Sequence, residues 1–270
     1  MEVGSGNAGK ELKQHMNNYD LQGKRILFVG GGTGLDKAII DRIHKSMYLQ
    51  YTDNQFVAPP PPHTHTHLHA NTPKGMVLEF KYSNVYEIEK EIKEIVSSNG
   101  AFDAVVFTIV HSDFRPLQYA KPDLVSEIMN DNYGIFVEVV RALKKHRGLN
   151  ERASIVAMSS ISSIRAMKAK MAFCASKAAL DAAVRCLSIE LAPKGIRVNS
   201  IQKGAVDTDF EKSHIQNIQA IRRDETTFDN QAPLGLVKAD EVAELVAFLL
   251  SDATRSLTGQ SIAIDGGFTA

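Results

Sequence analysis

The sequence predicts a single doubly wound α/β domain, a parallel sheet covered by helices on both faces. Three observations carry this reading: short, continuously apolar runs, amphipathic segments between most of them, and a regular alternation of the two. Strands buried on both faces read as unbroken apolar runs, and parallel neighbours need a crossover, which is right-handed and usually helical. At 270 residues the chain is long enough to bury one large core.

In chain order, residues 1–18 are polar and glycine-dotted and read as a tail, so the domain spans 19–270. RILFVG (25–30) is the first strand, closed by glycine. Residues 35–48 then carry Ala38, Ile39, Ile43 and Met47 at helical spacing. Later strands are MVLEF (76–80), AVVFTIV (104–110), ASIVAMS (153–159), IRVNSI (196–201) and SIAI (261–264). Helical segments lie at 85–96, 124–145, 173–191 and 239–250. One segment, QFVAPPPPHTHTHLHANTPKG (55–75), stands where a second strand and its helix belong. Pro59 to Pro62 fit neither and predict a polyproline stretch. His63, His65, His67 and His69 alternate, so an extended chain projects all four to one side, as a Zn, Ni or Cu chelate requires. Metal centres draw ligands from separate elements with supporting hydrogen bonds, and none is visible, so the segment reads as a solvated loop and no metal is expected.

Composition excludes several partners. Lys plus Arg and Asp plus Glu balance at 31 each, so no net field draws the chain to nucleic acid or an anionic membrane. No run approaches the roughly 18 apolar residues of a span, and the N-terminus lacks the apolar core of a signal peptide. Cys174 and Cys186, twelve apart on one helix, cannot bridge and suit a reducing compartment. The expectation is a cytoplasmic protein acting on a small molecule.

VGGGTGLDKAI (29–39) joins the first strand to the first helix. Glycines there let the backbone turn tightly and approach a pyrophosphate, and the helix N-terminus presents free N–H groups. With the flanks DLQGKRILFVG, SIELAPKGIRVNSI and SLTGQSIAIDGG, this turn resembles the short-chain dehydrogenase/reductase family, over nearly the whole chain from Tyr19 onward. That resemblance implies a Rossmann-type fold and an NAD(P) cofactor. Gly30 and Gly34 match the first two glycines of the family's Thr-Gly-x-x-x-Gly-x-Gly turn, whereas Asp36 stands at the third and Val29 at the threonine. A partly exposed Asp36 carboxylate would oppose a pyrophosphate by about 1 kcal/mol. The residue choosing between NAD and NADP normally ends the second strand, here near 58–60, where neither a carboxylate nor an arginine is present.

The resemblance also implies a catalytic set: a tyrosine and a lysine four apart on one helix, a serine thirteen before the tyrosine, and an asparagine on the preceding helix. Ser160 and Lys177 match the serine and lysine, and Phe173 takes the tyrosine position. A phenol passes a proton as hydride moves, the lysine lowers its pKa and holds the ribose, and the serine polarises a carbonyl. Phenylalanine keeps the ring and loses the acid. Counting three back from Gly134 puts Asp131 at the asparagine, positioned to pair with Lys177. The family's Asn-Asn-Ala-Gly becomes Phe107, Thr108, Ile109 and Val110, bulky where a nicotinamide ribose would lie, and Lys203 replaces a proline, while Thr208 keeps the threonine that contacts the nicotinamide amide. Departures at so many positions point to natural divergence rather than one deliberate substitution. His111 follows the altered strand and is the candidate replacement acid, and Cys174 reads as packing.

Three functions follow. The first is an oxidoreductase reducing an activated carbonyl, imine or alkene without the tyrosine. The second is a repurposed cyclase or isomerase in the same cleft. The third is an inactive subunit of a hetero-oligomer, because family members associate through long helices as homodimers or tetramers.

Overall fold

The computed structural model describes residues 20–30, 34–48, 76–80, 85–208 and 232–270. The tail and the 55–75 segment lie outside the described residues, as do 209–231. Six strands, β1 Arg25–Val29, β2 Met76–Phe80, β3 Phe102–Phe107, β4 Leu149–Ser160, β5 Arg197–Lys203 and β6 Ser261–Ile264, form one sheet in the order β2-β1-β3-β4-β5-β6. Every pairing is parallel.

The two faces follow from the two-residue period of a strand. In β1, Ile26 and Phe28 point to one face; Leu27 and Val29 point to the other. In β3, Ala104 and Val106 join the first set, Val105 and Phe107 the second. Helices α1 Gly34–Tyr48 and α6 Ala239–Leu250 pack together over the first face, with Ile39, Ile43, Val242 and Val246 turned inward. The second face is covered by α2 Ile88–Asn99, α4 Ile135–Lys145 and α5 Met171–Leu191. There Phe107 meets Phe136 edge-on, with ring centroids 5.3 Å apart, a favoured aromatic geometry.

Several boundaries differ from the sequence reading. β3 ends at Phe107 instead of continuing to residue 110, because its last ladder partner is Ala157 of β4 and the chain then leaves the sheet. The second helix runs to Asn99 and stops at Gly100, whose positive φ of 75° suits glycine and ends the turn. The segment 124–145, expected to be one helix, is broken into α3 Pro122–Met129, a π turn at Asn130–Gly134, and α4. The edge of the sheet also differs. β2 pairs directly with β1, from Arg25 opposite Met76 to Val29 opposite Phe80. The strand flanking β1 on that side therefore ends at Phe80, not near 58–60.

Candidate active site

The chain passes from β1 to β2 on one side and then to β3 on the other. This reversal opens a crevice at the carboxyl ends of the strands, the place where doubly wound sheets take ligands. The crevice is walled by Leu35 and Asp36 of α1, by Thr108 and Val110 after β3, by Met158 to Ser160, by Phe173 and Lys177 of α5, and by Lys203, Val206 and Thr208.

The two glycines of the first turn serve different ends. A β-carbon on Gly30 would stand 2.5 Å from both the Phe28 ring and the Thr108 hydroxyl, so the protein itself fills that space. One on Gly34 would meet only the Thr208 methyl, at an ordinary 3.8 Å, which sets these residues facing one another across the crevice. Asp36 is buried at 3 % exposure, in contrast to the partly exposed carboxylate expected. The first turn of α1 folds it into the crevice wall. Thr108 and Val110 face the crevice, but Phe107 is fully buried on the other face and Ile109 packs against that same core. Alternation therefore removes half of the expected crowding.

Ser160 ends β4 in extended geometry, and its Oγ accepts from the Ser162 N–H at 3.1 Å, leaving the hydroxyl proton to donate elsewhere. Phe173 and Lys177 lie one turn apart on α5 and share a face. The Phe173 ring packs with Ile128 and Ala172 and lies near two ammonium groups, Lys170 Nζ at 5.3 Å and Lys177 Nζ at 5.9 Å from its centre. Lys170, which also donates to Ser112 Oγ at 3.3 Å, has no counterpart in the sequence reading.

Lys177 is 1 % exposed. Its Nζ donates to the Met158 carbonyl at 3.0 Å and reaches the Ile109 carbonyl at 3.5 Å. Burial pushes its ammonium down to about 7; the Lys203 charge acts in the same direction and Asp181 opposes both. Asp181 is itself held by Ser200 and Gln202 of β5, at 2.7 and 2.8 Å. The expected Asp131–Lys177 ion pair is absent. Asp131 Oδ2 instead lies 2.8 Å from His111 Nδ1, because the π turn carries it toward the segment after β3. His111 and Asp131 pair with each other outside the crevice wall; with Glu127 they bring ligand-type atoms within 4.8 Å of one another.

Asn132 carries no motif in the sequence, yet it is fully buried at the kink. Its Oδ1 accepts from the His111 N–H at 3.0 Å, and its Nδ2 donates to the His111 and Ile128 carbonyls at 2.7 and 3.0 Å. The side chain thus fixes the strand end that carries Thr108 and Val110. An asparagine flanked by Asp131 and preceding Gly134 was the available signal, hidden by counting residues as in a regular helix.

The crevice thus unites Asp36, Ser160, Phe173, Lys177 and Thr208, with Gly34 at its mouth, while Gly30 supports it from behind and His111 and Asp131 stand apart. Its residues fit a dinucleotide. Thr108 Oγ1 and Ser159 Oγ are buried without a hydrogen-bond partner among the described residues, and both belong to the wall. Buried hydroxyls ordinarily have partners, and ribose and amide groups would satisfy them. Lys177 and the opening of α1 at Gly34 supply further donors; Asp36 alone opposes an anionic ligand.

Fold and site together define a doubly wound protein with a nucleotide-type crevice. Comparison narrows this: residues 63–269 match the family model described as enoyl-(acyl carrier protein) reductase. L-xylulose reductase of Caenorhabditis elegans is 37% identical over 268 residues, covering 93% of this chain and 98% of that protein. An NADH-dependent enoyl-[acyl-carrier-protein] reductase of Haemophilus influenzae is 27% identical, covering 92% and 95%. Among solved structures, a Serratia marcescens short-chain dehydrogenase/reductase mutant superposes with a TM-score of 0.72 at 22% identity, over 93% of this chain and 99% of its own. The chain belongs to the short-chain dehydrogenase/reductase family. Among the described residues, Cys174 and Cys186 are free thiols, and no helix is long and apolar enough to cross a membrane.

Proposed function

We propose that this protein is an NAD(P)H-dependent reductase of a small molecule whose acceptor is activated in its own right, an imine or a conjugated alkene in preference to a simple ketone. The observation that carries this reading is the wall in which Ser160 and Lys177 flank Phe173 instead of a phenol. Relatives named as L-xylulose and enoyl-[acyl-carrier-protein] reductases support hydride chemistry in this crevice.

A bound reduced nicotinamide would supply the hydride. Thr108, Ser159, Lys177 and Thr208 are the residues that would hold it, beside the N-terminus of α1. The chain's own task is the charge that follows. A ketone becomes an alkoxide and needs an acid in the transition state; Phe173 has none. A protonated imine becomes a neutral amine, and a conjugated alkene becomes a delocalised enolate that the Ser160 hydroxyl and the Lys177 ammonium can stabilise by hydrogen bonding and charge. The apolar Phe173 face excludes water from that site. Water then returns the proton to an enolate carbon once the product loosens.

Titration with NADPH and with NADH, followed by cofactor fluorescence, tests the premise. Binding in the micromolar range supports it. No binding below about 1 mM makes hydride transfer untenable and leaves a non-redox reaction or a subunit role as the remaining readings. With binding established, turnover of cyclic imines and enones over matched ketones tests the substrate class.

A further inference from the structure

We propose that Lys177 is a nucleophilic amine that condenses with a small carbonyl compound entering the crevice, giving a protein-bound imine. The inference does not rest on the reductase reading, since no dinucleotide enters the step. It begins from the setting of one side chain. Lys177 Nζ lies between the carboxyl ends of β3 and β4, and its two acceptors are main-chain carbonyls, of Ile109 and Met158. No ion pair forms to it among the described residues. The ring of Phe173, which offers it no hydrogen-bonding group, lies 5.9 Å from it. A lysine in an apolar pocket beside a second cation is the arrangement that leaves an amine neutral and nucleophilic. Lys203 provides the second cation, in the same wall. Burial, the larger cause, brings the ammonium down to about 7.

The residues preceding and following those two carbonyls complete the site. Thr108 precedes Ile109 and Ser159 follows Met158, and among the described residues these are the two buried hydroxyls without partners. Both line the crevice that Lys177 lines and can donate to a carbonyl compound bound there. In the step, the lone pair of the neutral amine attacks the carbonyl carbon, a C–N bond forms, and the oxygen takes the proton the nitrogen loses. The carbinolamine oxygen then takes a second proton and leaves as water, and the nitrogen lone pair closes the C=N bond. That proton, drawn from solvent, departs in the water and leaves its charge on an iminium that keeps one N–H; release of the N–H proton to solvent balances it, so one amine and one carbonyl give one imine and one water, with nothing oxidised or reduced.

The probe is 2,4-pentanedione, which condenses with an amine and rearranges to an enaminone stable without a reductant. The full-length wild-type protein is incubated with it near pH 7, digested, and mapped by mass. The expected result is a peptide containing Lys177 that gains pentanedione less one water, at least about tenfold faster than the exposed Lys90. Labelling of Lys177 no faster than of Lys90 overturns the proposal. Because both rates come from one folded molecule, the comparison needs no variant. Lys203→Met, checked for an unchanged melting transition, should slow labelling of Lys177 several-fold near pH 7; an unchanged rate removes Lys203 from the mechanism.

Discussion

The ammonium of Lys177 lies 5.9 Å from the centre of the Phe173 ring, one helical turn away. A ring face attracts a cation through its quadrupole but cannot exchange a proton with it. The pair therefore sets a ring with no acidic hydrogen beside a buried cation.

If the crevice carries out hydride transfer as proposed, a phenol at position 173 should add general-acid chemistry. In Phe173→Tyr, the neighbouring ammonium of Lys177 would favour the phenolate and lower the phenol's pKa. With NADPH or NADH present, reduction of simple aldehydes and ketones should rise by about 10²-fold, the usual scale of one positioned general acid. Stability should change by less than about 1.5 kcal/mol, since the ring volume is kept. Cofactor oxidation, followed by absorbance across a carbonyl panel, checks this. Undiminished cofactor binding with no gain in rate would mean that Phe173 does not face the reacting carbonyl.

Burial of Lys177 also predicts how stability varies with pH. Its folded pKa is near 7, below the ordinary 10.5, so between these values the unfolded chain binds more protons than the folded one. Stability from this group therefore rises with pH across that window, by at most about 1.4 kcal/mol per unit. It is flat below about 7, where both states are protonated. Urea midpoints at pH 7, 8 and 9 should climb in the wild type relative to Lys177→Met, in which this contribution is gone. Parallel pH profiles for the two proteins would refute the assignment.

The two glycines of the first turn should separate under the same substitution. Gly30→Ala places a methyl 2.5 Å from Phe28 and Thr108 and should cost about 1–3 kcal/mol as an overpacked site. Gly34→Ala meets only the Thr208 methyl at 3.8 Å, so stability should stay within about 0.5 kcal/mol. If a dinucleotide uses this helix N-terminus, Gly34→Ala will weaken its binding while the melting transition holds. Denaturation and cofactor titration on both variants distinguish a packing glycine from a ligand-facing one.

Much of the fold was legible because burial on both sheet faces writes itself as apolar runs, as in RILFV and SIVAM, and all six described strands fall on runs read from the sequence. The positions of Ser160, Phe173 and Lys177 were legible for a related reason: α5 is regular, so spacing along it converts directly to a shared face. Where the helix is not regular, spacing misleads. Counting back from Gly134 selects Asp131, but the π turn at 130–134 underwinds the chain and turns Asn132 inward. Lys170 was invisible because its contact with Phe173 depends on the turn before α5, and the burial of Asp36 because a first-turn carboxylate ordinarily faces water. The neighbour of β1 was misplaced for a topological reason: pairing partners are not encoded in the order of apolar runs.

Asn132 offers the sharpest test of that correction. Three hydrogen bonds tie its amide to His111 and Ile128 at zero exposure. Removing a buried partner strands the groups left behind, at about 1–3 kcal/mol for each unsatisfied group. Asn132→Ala should therefore cost about 2–4 kcal/mol, with the His111 N–H and carbonyl both losing a partner. Asn132→Asp should be as damaging although it is nearly isosteric, because an acceptor oxygen would then face the carbonyls of His111 and Ile128. The same changes at Asp131 should be mild: Asp131→Asn keeps a hydrogen-bonding group beside His111 at a site about a quarter exposed, 26% for its side chain, and should stay within about 1 kcal/mol. Urea denaturation of the three variants decides between the two residues. If Asp131→Asn proves the more destabilising, the kink is anchored by the acid, and the position of Thr108 and Val110 in the crevice wall depends on the His111–Asp131 pair instead of the buried amide.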